Sequence, residues 1–237
     1  MIETRGLTKF YDGTRGIEDL NITVKEDEIF GLLGPNGAGK TTTLKLLSCL
    51  LKPTRGTALI NGFDVRKDEI EVKKMVGYMP EENEFYEEMR VEDYLQFFGE
   101  LYGVKDLKTR VRELMQRLGL YERRRSSIST LSKGMKRKLL FAKTLIHNPQ
   151  VLLLDELTGG IDPITSKMLM EWVKELRKGR VIIYSTHNLH QAELICDRVA
   201  IINKGKLVAY GPVNELKLRF GVPDLESVFF KAVGKTY

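Results

Sequence analysis

No apolar run of about 18 residues occurs in the 237-residue sequence, so no segment of it reads as a bilayer-crossing helix. The amino-terminal stretch MIETRGLTKF has no continuous apolar core, and a secretory signal is not expected there. Cysteine is nearly absent. Cys49 and Cys196 stand in apolar surroundings without metal-ligand spacing, which favours buried free thiols in a reducing compartment. His147, His187 and His190 have no accompanying cysteine and do not make a transition-metal site. Internal repeats and low-complexity tracts are missing too. An excess of one charge sign is small: 38 basic against 32 acidic residues gives +6. That charge is dispersed, and its densest cluster, Tyr121-Glu-Arg-Arg-Arg125, is short. It reads as a solvated face, with a contact surface for an anionic partner as the alternative.

What is present is a hydrophobic content of 42% and a charged content of 30%, enough for a sizeable core with a soluble surface. The length suits one large α/β domain, or a main domain carrying a smaller lobe. Short β-type segments open the chain at Ile2–Leu7 and Ile22–Val24, and Ile29–Leu33 runs straight into a glycine loop. Thr41–Leu51 then reads as a helix ended by the Lys52-Pro53-Thr54 break. Ala58–Ile60 and Val76–Met79 are further strand candidates, separated by a charged stretch around Arg66–Lys74. From Phe85 the periodicity turns helical. Tyr94, Leu95, Phe98, Leu101 and Tyr102 share one face, as do Val111, Leu114, Met115 and Leu118. A third helix begins near Ser132 and carries Met135, Leu139, Ala142 and Ile146. Residues 85–147 thus read as a helical lobe inserted into an α/β domain. Beyond it come an apolar strand at Val151–Leu154, a helix with Leu169, Trp172, Val173 and Leu176 on one face, and a buried strand at Val181–Tyr184. This alternation predicts a largely parallel sheet covered on both faces. Leu225–Val233 reads as a short amphipathic helix.

Gly34-Pro35-Asn36-Gly37-Ala38-Gly39-Lys40-Thr41 fits the full spacing of a phosphate-binding P-loop. Small residues let successive backbone N–H groups turn inward on a phosphate, and the helix that follows adds its positive end. Lys40 is expected to reach the β- and γ-phosphates of a nucleoside triphosphate, and Thr41 to offer its hydroxyl to Mg²⁺. A triphosphate site also needs a metal carboxylate and a group to orient or deprotonate water. Val151-Leu-Leu-Leu-Asp-Glu156 supplies two acids where a buried strand leaves the sheet. Asp155 is expected to hold Mg²⁺, directly or through an intervening ligand, and Glu156 to be the base. Neighbouring residues on a strand point to opposite faces, so the chain must turn at Glu156 for both acids to address one ligand. His187 follows the next strand and could reach the γ-phosphate side.

Taken together, these residues resemble the nucleotide-binding subunit of an ATP-binding cassette (ABC) transporter along nearly the whole chain. The specific likeness lies in Leu131-Ser-Lys-Gly-Met135, shortly before the Asp155–Glu156 pair, which resembles the family's Leu-Ser-Gly-Gly-Gln signature. The resemblance implies that Ser132 and Gly134 cap the γ-phosphate of ATP bound to an opposite subunit. It also implies that Tyr11 stacks on adenine, that Thr42 joins the P-loop in binding the nucleotide, and that Gly160-Ile-Asp162 communicates between two sites. His187 corresponds to the switch histidine, and Glu81, in Gly77-Tyr-Met-Pro-Glu81, to a metal- and water-sensing position with a catalytic role. Four positions depart from the family pattern. Glu81 replaces the usual glutamine, keeping metal-binding oxygens but adding charge and losing an amide donor. Lys133 and Met135 replace Gly and Gln, and Leu157 replaces proline.

The implied fold is a P-loop NTPase of α/β class: a mostly parallel central sheet, an antiparallel β region near the amino terminus and the inserted helical lobe. Residues 1–237 would form one ABC ATPase domain, with 211–237 as a carboxy-terminal helical extension. The implied activity is hydrolysis of ATP, with Mg²⁺, between two cassettes meeting head to tail, the second expected to be identical in sequence. Separate transmembrane permease subunits of an exporter-like system would receive the work, with this subunit peripheral on the cytoplasmic face of the membrane. Nucleic acid is not an expected partner, because cassettes that clamp it usually carry coiled-coil insertions or a fused second cassette. A slow ATP-dependent regulatory sensor is the remaining alternative.

Overall fold

Side-chain parity along the buried strands divides the core in two. The computed structural model describes residues 1–82 and 85–234. Its strands are β1 (Ile2–Tyr11), β2 (Thr14–Leu20), β3 (Thr23–Val24), β4 (Glu28–Leu33), β5 (Arg55–Ile60), β6 (Phe63–Asp64), β7 (Val76–Met79), β8 (Val151–Asp155), β9 (Val181–Thr186), β10 (Arg198–Asn203) and β11 (Lys206–Pro212). Its α-helices are α1 (Lys40–Leu47), α2 (Glu69–Met75), α3 (Val91–Leu101), α4 (Leu107–Arg117), α5 (Lys133–Leu145), α6 (Pro163–Leu176), α7 (Leu189–Ile195), α8 (Val213–Phe220) and α9 (Leu225–Ala232). The larger sheet runs β11-β10-β4-β9-β8-β7 and is parallel except where β11 pairs with β10. The smaller sheet, β2-β1-β5-β6 with β3 also on β1, is antiparallel.

Along β8, Leu152 and Leu154 face one core while Val151 and Leu153 face the other, and Ile182/Tyr184 against Val181/Ile183 repeat the division along β9. The period of two dictates this, because successive strand side chains point to opposite faces. One core is closed by the lobe helices α3–α5 with α6, α7 and α9. The other is closed by α1 and the small sheet. Cys196 lies in the first and Cys49 in the second, both buried free thiols on opposite sides of the sheet. Among the described residues no helix is long and apolar enough to cross a membrane.

The helical insertion lies between β7 and β8, and its first helix starts at Val91 rather than at Phe85. Phe85 instead packs its ring 5.5 Å from that of Tyr94. The helix expected over Thr41–Leu51 ends at Leu47, because the backbone turns left-handed at Cys49, with φ 57°. Elements that the sequence did not announce include β2, the β10–β11 hairpin and α2. The last occupies the charged stretch, buries only Val72, and carries an ion pair from Glu69 to Lys73 at 2.5 Å. At the carboxy terminus, Gly211 and Pro212 finish β11, and α8 and α9 follow. Residues 235–237 of the expected extension lie outside the described residues.

Candidate functional site

Every residue of β4 is buried, and the chain leaves the sheet at Leu33 directly into the P-loop. Two glycines there have steric reasons. A Cβ on Gly39, whose φ is 110°, would stand 2.4 Å from the carbonyl oxygen of Gly16, and one on Gly34 would stand 2.4 Å from that of Ile202. The loop therefore packs backbone against backbone, and its N–H groups and the start of α1 face the cleft. That cleft, of about 400 Å³, is lined by Asn36–Thr42 together with Tyr11, Arg15, Glu81 and Glu156. Gly34 and Pro35 lie beneath it, where their carbonyls accept hydrogen bonds from Lys40 Nζ at 2.8 and 3.3 Å.

The chain does turn at Glu156. Its φ is 48°, and its backbone N–H donates to Ser185 O at 3.0 Å. A non-glycine residue in this region costs on the order of 1 kcal/mol, which the buried surroundings must offset. The turn brings both acids to the P-loop. Asp155 Oδ2 accepts from Thr41 Oγ1 at 2.7 Å, and Glu156 Oε1 lies 3.9 Å from Lys40 Nζ. Glu156 is held from the β9 side as well. Its Oε2 accepts from Thr186 Oγ1 at 3.3 Å, and its Oε1 accepts from the His187 backbone N–H at 3.0 Å and from Nδ1 at 2.8 Å. A carboxylate can only accept, so Nδ1 carries the hydrogen and Nε2 is left as the exposed face of the ring. Thr186 and His187 thus fix the orientation of this carboxylate.

Asp155 is fully buried, and that burial raises its pKa above the ordinary carboxylate value; the Thr41 and Ser185 hydroxyls pull it back. Its Oδ1 is buried without a hydrogen-bond partner. A buried carboxylate oxygen left unsatisfied beside a fixed hydroxyl is the donor set of a hard cation, and one or two such protein oxygens suffice for Mg²⁺ alongside phosphates. The residues fit the metal. Glu81 contributes to the same cleft wall, and Thr41 and Glu81 also line a second cleft, of about 710 Å³, between α1 and the helical lobe.

Tyr11 stands at the mouth, 41% exposed, with its hydroxyl 3.5 Å from Thr42 Oγ1. Its ring lies at the edge of the P-loop cleft, with Lys9 Nζ 5.4 Å from the ring centroid. Ser132 and Gly134 are not brought to this cleft in the same chain. Ser132 caps α5, its Oγ accepting from Met135 N at 3.3 Å. Gly134 instead faces the loop before α6, where a Cβ would lie 3.5 Å from Asp162 Oδ2.

Two functional candidates escaped the sequence reading. Arg15 lines the cleft, tied to Glu18 at 3.0 Å, and nothing in its neighbourhood of the sequence marks it. Arg137 lies inside Lys136-Arg-Lys138 but is 2% exposed, and it binds carbonyls on both sides of the site. Helical phase could have found it: Leu140, Phe141 and Thr144 of the buried face follow at three, four and seven residues.

Comparison with known proteins agrees with this geometry. The family model described as ABC transporter matches residues 17–159. The linearmycin resistance ATP-binding protein LnrL of Bacillus subtilis (strain 168) is 35% identical over 224 residues, covering 93% of this chain and 72% of that protein. A solved ATP binding subunit of an ABC transporter superposes with a TM-score of 0.91 at 30% identity, covering 98% of this chain and 99% of the other. The dimeric post-hydrolysis structure of the ATP-binding cassette MJ0796, bound to ADP and Pi, shares the fold at a TM-score of 0.83 and 22% identity, covering 90% and 98%.

Proposed function

Because the chain belongs to the ABC transporter family, as an ATP-binding subunit that hydrolyses ATP to energise transport, we propose that two copies close head to tail around two ATP molecules. The observation that carries this reading is the division of the site residues. Tyr11, the P-loop, Glu81, Asp155, Glu156 and His187 converge within one chain, whereas the exposed Ser132 and its neighbour Gly134 contribute nothing to that cleft. Such a signature has work to do only against a ligand held by another subunit, and a self-complementary pairing then makes two equivalent sites. That the MJ0796 cassette is dimeric with ADP and Pi bound supports pairing of two cassettes.

In the closed pair, Tyr11 stacks on adenine, and Lys40 and the P-loop amides hold the β- and γ-phosphates. Thr42 adds a hydroxyl from the first turn of α1. Ser132 and Gly134 of the partner cap the γ-phosphate. Thr41 and Asp155 would hold Mg²⁺, with Glu81 as a further oxygen donor; the metal supplies neutralisation of phosphate charge. Glu156, oriented by Thr186 and His187, accepts the proton of the attacking water, and in-line displacement releases phosphate. Closure is favoured by ATP because ATP touches both subunits only in that state. The cleft between α1 and the helical lobe receives a cytoplasmic segment of separate membrane-spanning subunits. That contact holds the protein at the cytoplasmic face of the membrane. The resistance function in the name of LnrL supports an export system.

Replacing Glu156 with Gln removes the base and leaves a side chain of the same shape. The variant is expected to bind ATP and accumulate as a dimer, doubling its mass in light scattering with ATP and Mg²⁺. A monomeric variant with unchanged turnover sinks the assignment.

A further inference from the structure

Arg137 sits on α5, five residues beyond the cap Ser132, and its guanidinium reaches two segments of the active site at once. Nε donates to Leu157 O at 2.8 Å, and Nη2 donates to Asp155 O at 2.7 Å and Glu156 O at 2.6 Å. These carbonyls belong to the left-handed turn that aims Glu156. Nη1 donates to Pro80 O and Glu81 O, both at 2.9 Å, in the loop that presents Glu81.

A structural tie between two loops does not need an ionised group. Burial lowers the pKa of Arg137 to about 10, although Asp155, Glu81 and Glu156 act to keep it charged. The side chain stays cationic at neutral pH and places a fixed positive charge behind three carboxylates. What the guanidinium alone supplies is a rigid, planar set of donors that fixes the spacing of several acceptors together. Lysine offers a compact charge on a flexible stem and cannot span both segments in one geometry. Hydrolysis depends on such spacing, because a misplacement of about 1 Å at the reacting groups can cost roughly 100-fold in rate.

We propose that Arg137 is a positioning residue for ATP hydrolysis, holding the Glu156 turn and the Glu81 loop in fixed register with each other and with the helix that Ser132 caps. It touches no nucleotide; it acts through Glu156 and Glu81. The inference rests on the reading of Glu156 as the base, and it adds a consequence that the reading lacks. Movement of α5, whose cap meets the opposite ATP, is delivered to this chain's own water-activating turn through one side chain.

The test compares wild type, Arg137→Gln and Arg137→Lys. Phosphate release gives kcat and KM, titration with a fluorescent ATP analogue gives affinity, and thermal unfolding gives the folded fraction. Arg137→Gln is expected to lower kcat roughly 100-fold with ATP affinity within about threefold of wild type. Arg137→Lys should recover no more than about a tenth of the wild-type rate. Should Arg137→Gln fail to fold, the lysine variant decides: a folded Arg137→Lys protein with wild-type kcat overturns the proposal. So does a folded Arg137→Gln protein whose kcat is within about twofold of wild type. A parallel fall of kcat and ATP affinity, tracking the folded fraction, also overturns it, because that is the signature of a merely structural arginine. A wild-type protein without ATPase activity would instead overturn the functional reading.

Discussion

Acidification should loosen the joint between the helical lobe and the large sheet, and His147 makes the size of the effect calculable. Its ring, just beyond α5, stacks on Tyr102 with centroids 3.9 Å apart and planes 6° from parallel. Nε2 lies 3.2 Å from Val76 O in β7. A carbonyl only accepts, so Nε2 carries the hydrogen. A second proton would have to go to Nδ1, which is buried without a hydrogen-bond partner. Burial accordingly lowers the pKa from 6.5 to about 4; the Val76 hydrogen bond opposes the shift and Arg110 adds to it. Between those two values the unfolded chain holds more protons than the folded one, so stability falls as pH drops through that window. From about pH 7.5 to about pH 5, two-state linkage with these two values gives a loss of about 2 kcal/mol. In a protein of this size that corresponds to roughly 4–8 °C in Tm. His147→Gln retains a donor for Val76 O and cannot titrate. Thermal unfolding of both proteins at the two pH values should therefore show the wild type losing roughly 4–8 °C more than the variant. Parallel losses, or an NMR titration of His147 with its midpoint at the ordinary histidine value, would refute the reasoning.

Three further outcomes are expected at the nucleotide site. Lys40→Ala should abolish tight ATP binding in calorimetry, since Lys40 Nζ is held at the loop by Gly34 O and faces Glu156; unchanged affinity would remove its phosphate role. Glu81→Gln should raise the Mg²⁺ concentration for half-maximal turnover by roughly tenfold, as loss of a charged oxygen near a metal does. An unaltered Mg²⁺ curve would show that Glu81 does not address the metal. Ser132→Arg and Lys40→Ala proteins, each inactive alone, should recover about a quarter of wild-type turnover when mixed one to one. Half of the dimers are then mixed, each with one intact site. No recovery from demonstrably mixed dimers would exclude a shared site.

The parts of this molecule that were legible in the sequence are those with a strong local cause. Ile29–Leu33 is an unbroken apolar run followed by obligatory glycines, and Val151–Leu154 is another followed by two acids, Asp155 and Glu156; both are strands at the places expected. The turn at Glu156 was required by geometry before it was observed, because two adjacent strand residues cannot otherwise face one ligand. What escaped has its cause in tertiary contact. The α2 helix buries only Val72, so it has no apolar face to advertise itself. The β2 strand exists because β1 pairs with it through registers such as Leu7 with Leu20, which no local pattern specifies. Arg137 looked like its flanking lysines, and only the carbonyls converging on it set it apart. Ser132 was legible as the start of a helix and as a signature residue acting on an opposite subunit; its capping of α5 rests on the Met135 amide that folding brings to it.

Thr41 and Glu81 border both the nucleotide cleft and the larger cleft beside the lobe, so the position of either residue is set by the occupants of both. An occupant shifts such an equilibrium only by binding the alternatives differently. Glutamate makes that difference electrostatic. Its carboxylate shares the site with Asp155 and Glu156, and phosphate oxygens add further negative charge, so it is repelled inward of the cleft unless a cation stands between them. On the proposed reading, Glu81 would turn toward Thr41 when ATP and its metal occupy the nucleotide cleft and toward the lobe when they do not. The backbone of Glu81 does not share this freedom, because Arg137 holds its carbonyl. On the proposed reading the swing is confined to the side chain. The departure from glutamine would then make coupling to the proposed membrane partner depend on the metal as well as on the nucleotide.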